Sequence, residues 1–463
     1  MSATKLPDGP TISPLQQLIN WLARPYDFLD DCAKKYGDVF TMRLMGFPPL
    51  VMISHPQGIG EIFSADAKQF DAGRSNEILI TLVGENSLLL LDGDRHKQER
   101  KMLMPPVHGD KVKSYAQIIC HITDKVASQW QPNRPFLAHK AMQNITLEVI
   151  LNAVFGLSEG ERYQQIKPLL ADLLDMTGSP VRAAFLFFDF LQQDWGAWSP
   201  WGKVVRRRQQ VYDLLQAEID QRRANPELVG NDVLSLMLSA RDEDGQPMSD
   251  RQLQDELMTM LVAGHETTAT ALSWAFYWIH KLPEVKEKLL QELANLGDNP
   301  DPLTISRLPY LTAVCQETLR IYPITPIAFG RIAKSPVKIM GHQFEAETTL
   351  TPCIYLVHHR EDLYPEPKQF KPERFLERQY SAHEFIPFGG GNRHCLGYAL
   401  AMLEMKLVLA TVLTNHELAL ANNQPVTPKR RGLTIATSNG VPLIMTGKRL
   451  RQSSFEAQQI SSV

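Results

Sequence analysis

The sequence has no Cys-x-x-Cys pair, and its five cysteines, Cys32, Cys120, Cys315, Cys353 and Cys395, are scattered singly. Zinc ribbons and cysteine-held iron–sulfur clusters need grouped thiolates, so neither has support. An excess of one charge is also missing. The 48 basic residues against 51 acidic leave a formal net charge of -3, which gives no case for nucleic-acid binding. From Met1 to Pro14 there is neither a basic leader nor a continuous apolar core, so no secretory signal is read there. With unpaired cysteines, this predicts a reducing, cytoplasmic setting. Leu15 to Leu22 is amphipathic but too short and polar to span a bilayer, so at most peripheral membrane contact is expected. A length of 463 residues would suggest about three average domains. The motifs below, however, run from His96 to Gly397 without a linker. One domain over 1–450 is expected, with a disordered polar tail over 451–463.

What is present is concentrated in Phe388-Gly389-Gly390-Gly391-Asn392-Arg393-His394-Cys395-Leu396-Gly397. Consecutive glycines admit backbone conformations closed to other residues and bring N–H donors close to a sulfur. Leu396 to Ala410 reads as a buried helix, placing Cys395 at its positive end. Both features are expected to lower the thiol pKa. A buried structural cysteine is the ordinary alternative. A single thiolate without partner cysteines suits haem iron.

Ser249 and Gln252 make a capping box, and the chain is helix-compatible from Asp250 to Lys281, where Leu282-Pro283 stops it. Ala263-Gly264-His265-Glu266-Thr267-Thr268 interrupts its apolar middle. A membrane span over Leu257 to Ile279 is long enough but would bury His265 and Glu266 at great cost. Glu266 and Thr267 form an acid and adjacent hydroxyl suited to relaying protons, with Thr268 as second choice. Gly264 is expected to let the helix approach a planar cofactor. A threonine bond to a backbone carbonyl would open the helix locally.

Elsewhere, Tyr36 to Leu44 and Leu50 to Ile53 read as a β-hairpin. His96 and Arg100 lie one turn apart on a charged helix. Glu317 and Arg320 form an i,i+3 pair on an apolar helix. Phe185 to Trp201 is aromatic, either core or an apolar portal. Leu433 to Ala436 and Val441 to Ile444, flanking Ser438-Asn439-Gly440, predict a second hairpin.

Phe388 to Gly397 resembles, position by position, the cysteine-ligand loop of the cytochrome P450 superfamily. The resemblance extends to Ala263–Thr268 as the oxygen-activation motif, to Glu317-Thr318-Leu319-Arg320 with Arg374, and to Arg331. It implies a mainly α fold with a smaller β region (α+β) and a long central helix over haem. Glu317, Arg320 and Arg374 are then structural. Haem b is the implied cofactor, with Cys395 as axial ligand favouring O–O cleavage. Phe388 stands at the head of that loop. His96, Arg100, Arg331 and Arg393 would grip propionates, His96 and Arg100 as two cationic donors, and Thr267 and Glu266 would be catalytic. The usual Pro-x-Gly turn is replaced by Glu345-Ala346-Glu347-Thr348-Thr349, which puts only the local turn in doubt. The implied activity inserts one atom of O2 into a C–H bond of a lipophilic substrate. The motif resembles the branch acting on long-chain fatty acids, with terpenoid or retinoid hydroxylation as an alternative. Electrons would come from a separate ferredoxin and ferredoxin reductase. A peroxide-using peroxygenase is the first rival, disfavoured by the intact acid–alcohol pair. A haem gas sensor is the second, expected to carry a signalling domain.

Overall fold

The computed structural model describes residues 5–157, 159–175, 191–196, 198–225, 230, 232–297 and 299–449. The expected disordered tail and the run Phe185-Leu186-Phe187-Phe188 lie outside the described residues. Helices dominate, with smaller sheets beside them.

The central helix runs Asp250–Lys281 over 32 residues, about 48 Å at 1.5 Å per residue. Its start is the expected capping box: Gln252 N donates to Ser249 Oγ at 3.3 Å, and Ser249 N donates to Gln252 Oε1 at 2.9 Å. Its amino-terminal half buries Leu253, Leu257, Met258 and Leu261 against helices Glu161–Asp175, Pro200–Ala224 and Val233–Ser239. Its carboxy-terminal half buries Leu272, Trp274, Phe276 and Ile279 among helices Ala116–Ala127, Ala138–Phe155, Pro309–Ile321 and Tyr398–Asn415. A helix wrapped in protein on this scale needs apolar residues on most of its faces, which explains the apolar runs on either side of its polar middle. Tyr398–Asn415 is the one described helix long and apolar enough to cross a membrane, and 67% of that window is buried within the fold.

The predicted amino-terminal hairpin is present, Val39–Met42 pairing antiparallel with Leu50–Ile53. Thr349–Pro352 adds in parallel to the second strand, followed by Arg331–Ala333 and Phe70–Asp71. This sheet carries Arg331 to the cysteine loop. At the altered turn, Glu347 takes the left-handed φ of +67° and its carboxylate receives Arg74 at 2.6 Å.

The carboxy-terminal pairing differs from expectation. Thr434–Thr437 pairs back onto Pro428–Arg431 through Gly432, which has φ +60°. Pro442–Lys448 pairs instead with His416–Leu420 and Pro135–Leu137. Positive φ at both Gly440 and Val441 diverts the chain between the two runs. Alternation marks a strand but does not name its partner. In the aromatic stretch, Trp201 is buried, whereas Trp195 and Trp198 are 65% and 73% exposed and stack at 6.1 Å, so core packing describes only the first. Pro14–Ala23 is a surface helix burying Leu18 and Trp21 while Leu15 and Ile19 stay exposed.

Candidate active site

The glycine run behaves as its chemistry demands. Gly389 and Gly391 have φ of +66° and +63°, the left-handed region that penalises side chains. A Cβ on Gly390 would lie 2.3 Å from the Phe63 ring, and one on Gly391 would lie 2.5 Å from Phe63 O. Helix Pro56–Phe63 therefore seats its last residue on the loop. Cys395 N donates to Phe388 O at 3.0 Å, and Phe388 meets Tyr398 edge-on at 4.9 Å. The Cys395 residue surface is exposed.

The helix after the cysteine begins at Tyr398, two residues later than read from sequence. The thiol pKa is also raised, not lowered. The protein mass around the sulfur outweighs the Gly397 and Tyr398 N–H groups and the Arg100 charge, all three of which pull the other way. The expected stabilising donors are thus present, but desolvation exceeds them until a cation meets the sulfur.

Three guanidinium groups converge on this loop. Arg100 donates to His394 O at 2.8 Å. Arg331 donates to Phe329 O at 2.8 Å and Gly390 O at 3.4 Å. Arg393 donates to Leu91 O and, at 2.6 Å, to Asp92. Burial and neighbouring positive charge bring Arg331 and Arg393 down to about 10. His96 falls to about 3, by burial first and then by Arg393, Arg100 and Arg331. It is a neutral N–H donor at physiological pH, not the second cation expected. Asp92, which also accepts from the backbone N–H groups of Ala72, Gly73 and Arg74, is the acid facing this cluster, and no local pattern in the sequence singles it out. The buried Arg393 Nε has no partner. An excess of donors and positive charge around a single-thiol loop fits a planar group bearing two carboxylates and a thiolate-bound iron.

On the central helix, Ala263, Gly264 and Thr267 retain solvent exposure while His265 and Thr268 are buried. Leu396 packs into the cluster containing Leu257 and Leu261, which brings the cysteine loop beside this helix. Thr267 Oγ1 donates to Ala263 O at 2.5 Å, as expected, but the helix remains continuous through it. The space freed by Gly264 is taken by Ile150, whose Cδ1 would stand 2.9 Å from a Cβ at that position, so this glycine serves a helix–helix contact.

Glu266 turns away from Thr267. Its carboxylate receives Gln143 Nε2 at 2.8 Å and lies 3.3 Å from His139 Nε2 and 3.1 Å from Arg431 Nε. Burial would raise its pKa, yet His139, Arg431 and Gln143 together hold it below the ordinary value. These three partners carried no local sequence signal: Gln143 is 123 positions away in the chain.

The proximal support is fully buried. Arg320 donates to Glu317 at 2.6 and 2.8 Å, and Arg374 Nε reaches the same carboxylate at 3.2 Å. Arg320 Nη1 also donates to His358 O at 2.8 Å, and His358 Nε2 accepts from Ile386 N at 2.9 Å. Burial and Arg320 lower His358 to about 3, keeping that nitrogen free to accept. The ion pair thus reaches the cysteine loop through His358, a link the sequence did not reveal.

The family model described as cytochrome P450 matches residues 7–443. Cytochrome P450 135B1 of Mycobacterium tuberculosis is 36% identical, with 97% of this chain and 93% of that protein aligned. Cytochrome P450 135A1 of the same organism is 30% identical over 96% of each. Among solved structures, retinoic acid bound cyanobacterial CYP120A1 has a TM-score of 0.84 and 26% identity, covering 96% of this chain and all of its own. The cytochrome P450DA heme domain has a TM-score of 0.83 at 21% identity, covering 96% of this chain and 99% of its own.

Proposed function

The chain belongs to the cytochrome P450 family and is a haem-thiolate monooxygenase, and from that premise we propose that it hydroxylates a long lipophilic carboxylic acid, with a long-chain fatty acid first. The observation that carries the site assignment is Cys395 on a glycine loop where three guanidinium groups gather, Arg100 acting on the thiol itself and Arg331 and Arg393 held on the same loop. The family implies a haem, proposed here as haem b, which Cys395 would hold as its thiolate ligand. His96, Arg100, Arg331 and Arg393 would hold its carboxylates, and Phe388 would pack beside it.

When bound, the haem supplies activation of O2 and insertion of one oxygen atom into a C–H bond. The protein's task is to ligate, orient and deliver protons. Arg100, Arg331 and Arg393 would supply charge-assisted donors to the haem carboxylates. Thr267 holds a proton at its hydroxyl while bonded to Ala263 O, and Glu266, once it has taken up a proton and turned from its clamp, would restock it. Leu79, Leu82 and Val83 form a small buried apolar cluster, and the partly buried Val262 and Leu433 packed against it would offer the apolar wall for an alkyl chain.

Family members need a redox partner; a ferredoxin with its reductase and a cytoplasmic setting are proposed for this one. The retinoic acid bound relative favours a second reading, a retinoid, which shares an apolar chain and a carboxylate with a fatty acid.

The first test is the absorbance difference spectrum of the reduced protein with and without carbon monoxide. A strongly red-shifted Soret band supports thiolate ligation, and its loss in Cys395→Ala assigns the ligand. Spin-state titration with fatty acids, retinoids and terpenes then reads the substrate. A response to terpenes alone would overturn the carboxylic acid.

A further inference from the structure

Glu266 is held by residues on two unlike supports. His139 and Gln143 project from the 18-residue helix Ala138–Phe155, whose body is buried in the core. Arg431 ends a strand at the tip of the hairpin Pro428–Arg431/Thr434–Thr437, next to the Gly432 turn. Both strands are anchored one rung from that tip. Ile435 N donates to Ile324 O at 2.8 Å, Trp274 Nε1 donates to Ile435 O at 3.2 Å, and the Arg430 guanidinium lies 4.7 Å over the Trp21 ring. The tip itself carries two functions. Arg431 pairs with Glu266 at 3.1 Å, and Leu433, two residues on, joins Leu79, Leu82, Val83 and Val262 in the apolar wall.

A buried carboxylate stripped of its partners is strongly unfavourable, so Glu266 can turn toward Thr267 only when its clamp loosens. The groups facing it are His139 and Gln143 from one helix, Arg431 from the hairpin, and His265 on its own helix, with Lys140 nearby. His139 is tethered by Ser273 at 3.2 Å through its other ring nitrogen. Arg431 is 26% exposed, compared with 8% for His139. It is the more exposed of these two partners and the one carried by the hairpin.

We propose that Arg431 is a positioning residue for Glu266, and that the hairpin tip releases this carboxylate toward Thr267 when a substrate seats against Leu433. The inference rests on the reading of Glu266 as proton relay. It assigns the 428–437 hairpin as the device that links substrate occupancy to proton supply, so that protons are withheld from the site until a C–H bond is in place.

The test compares the full-length, haem-loaded protein with Arg431→Gln, Arg431→Lys, Glu266→Gln and the double variant Arg431→Gln/Glu266→Gln. The first readout is the infrared C–O stretch of the reduced carbon monoxide complex, with and without a fatty acid, across pH. Wild type is expected to show an additional pH-dependent band only with substrate. Arg431→Gln should show that band without substrate, the double variant should lack it, and Arg431→Lys should behave as wild type. The second readout is product formed per O2 consumed, where the two sites should be non-additive by roughly two- to a hundredfold, the range for contacting pairs. A wild-type spectrum in Arg431→Gln, or a second band that survives in the double variant, overturns the proposal. Full coupling in Glu266→Gln would instead sink the relay reading, and the infrared comparison would still report whether Arg431 holds the carboxylate.

Discussion

Thr267 and Glu266 are neighbours in sequence and strangers in space, because adjacent helical residues point about 100° apart. The hydroxyl bonds Ala263 O, and the carboxylate is clamped by His139, Gln143 and Arg431. Thr267→Ala is expected to cut product per O2 roughly tenfold while O2 consumption continues, below the full contribution of a positioned proton donor; Thr267→Ser should restore coupling. Simultaneous measurement of O2 uptake and product decides it. At this scale the motif residues were legible, since Cys395, Glu266 and Thr267 declare themselves by their immediate neighbours. The clamp was not, because its members lie on a helix and a hairpin that only tertiary packing brings together. The charge state of His96 was hidden for the same reason. A histidine beside an arginine on a helix reads as cationic until its burial is known, with the Arg393 and Arg331 side chains from distant elements adding to it.

Elements divide into those specified locally and those specified by their partners. The central helix announced both ends, through the Ser249–Gln252 capping box and Pro283, and its bounds agree with those expected from sequence. The carboxy-terminal strands announced only their alternation, so the pairing of Thr434–Thr437 with Pro428–Arg431 was not foreseen. The glycine loop sits between these cases. Its need for positive φ was readable, whereas the insertion of Phe63 against Gly390 and Gly391 was not. Gly391→Ala should therefore lose more than the roughly 1–2 kcal/mol of left-handed strain alone, and the red-shifted carbon monoxide band should shrink in proportion to misligated protein. Glu317→Ala leaves Arg320 buried and unpaired. It should destabilise by about 3–5 kcal/mol, read as a lower thermal midpoint with loss of the same band.

Across the whole molecule, buried titratable groups give stability a pH dependence, to which the histidines His96 and His358, lowered to about 3, and one buried acid contribute with opposite signs. Glu404, on the helix after the cysteine loop, is buried, its Oε1 has no partner, and burial raises it from 4.5 to about 8. The native state keeps this proton while the unfolded chain releases it above about pH 4.5, so the contribution to stability falls as pH rises from there to about 8. Glu404→Gln should remove that slope. Relative to wild type it should gain on the order of 3 kcal/mol between pH 4 and 7, at 1.36 kcal/mol per unit, as measured by denaturant unfolding at both values. Fold class was readable at this scale because long apolar helices dominate, whereas the way the sheet reaches the cysteine loop was not. That reach has a consequence for recombination. Helix Pro56–Phe63 and the loop Phe388–Gly397 form a co-adapted pair, fitted atom against atom where no side chain is tolerated. Chimaeras with related enzymes should therefore inherit both segments from one parent, and crossovers that split them should be depleted among folded, thiolate-ligated progeny.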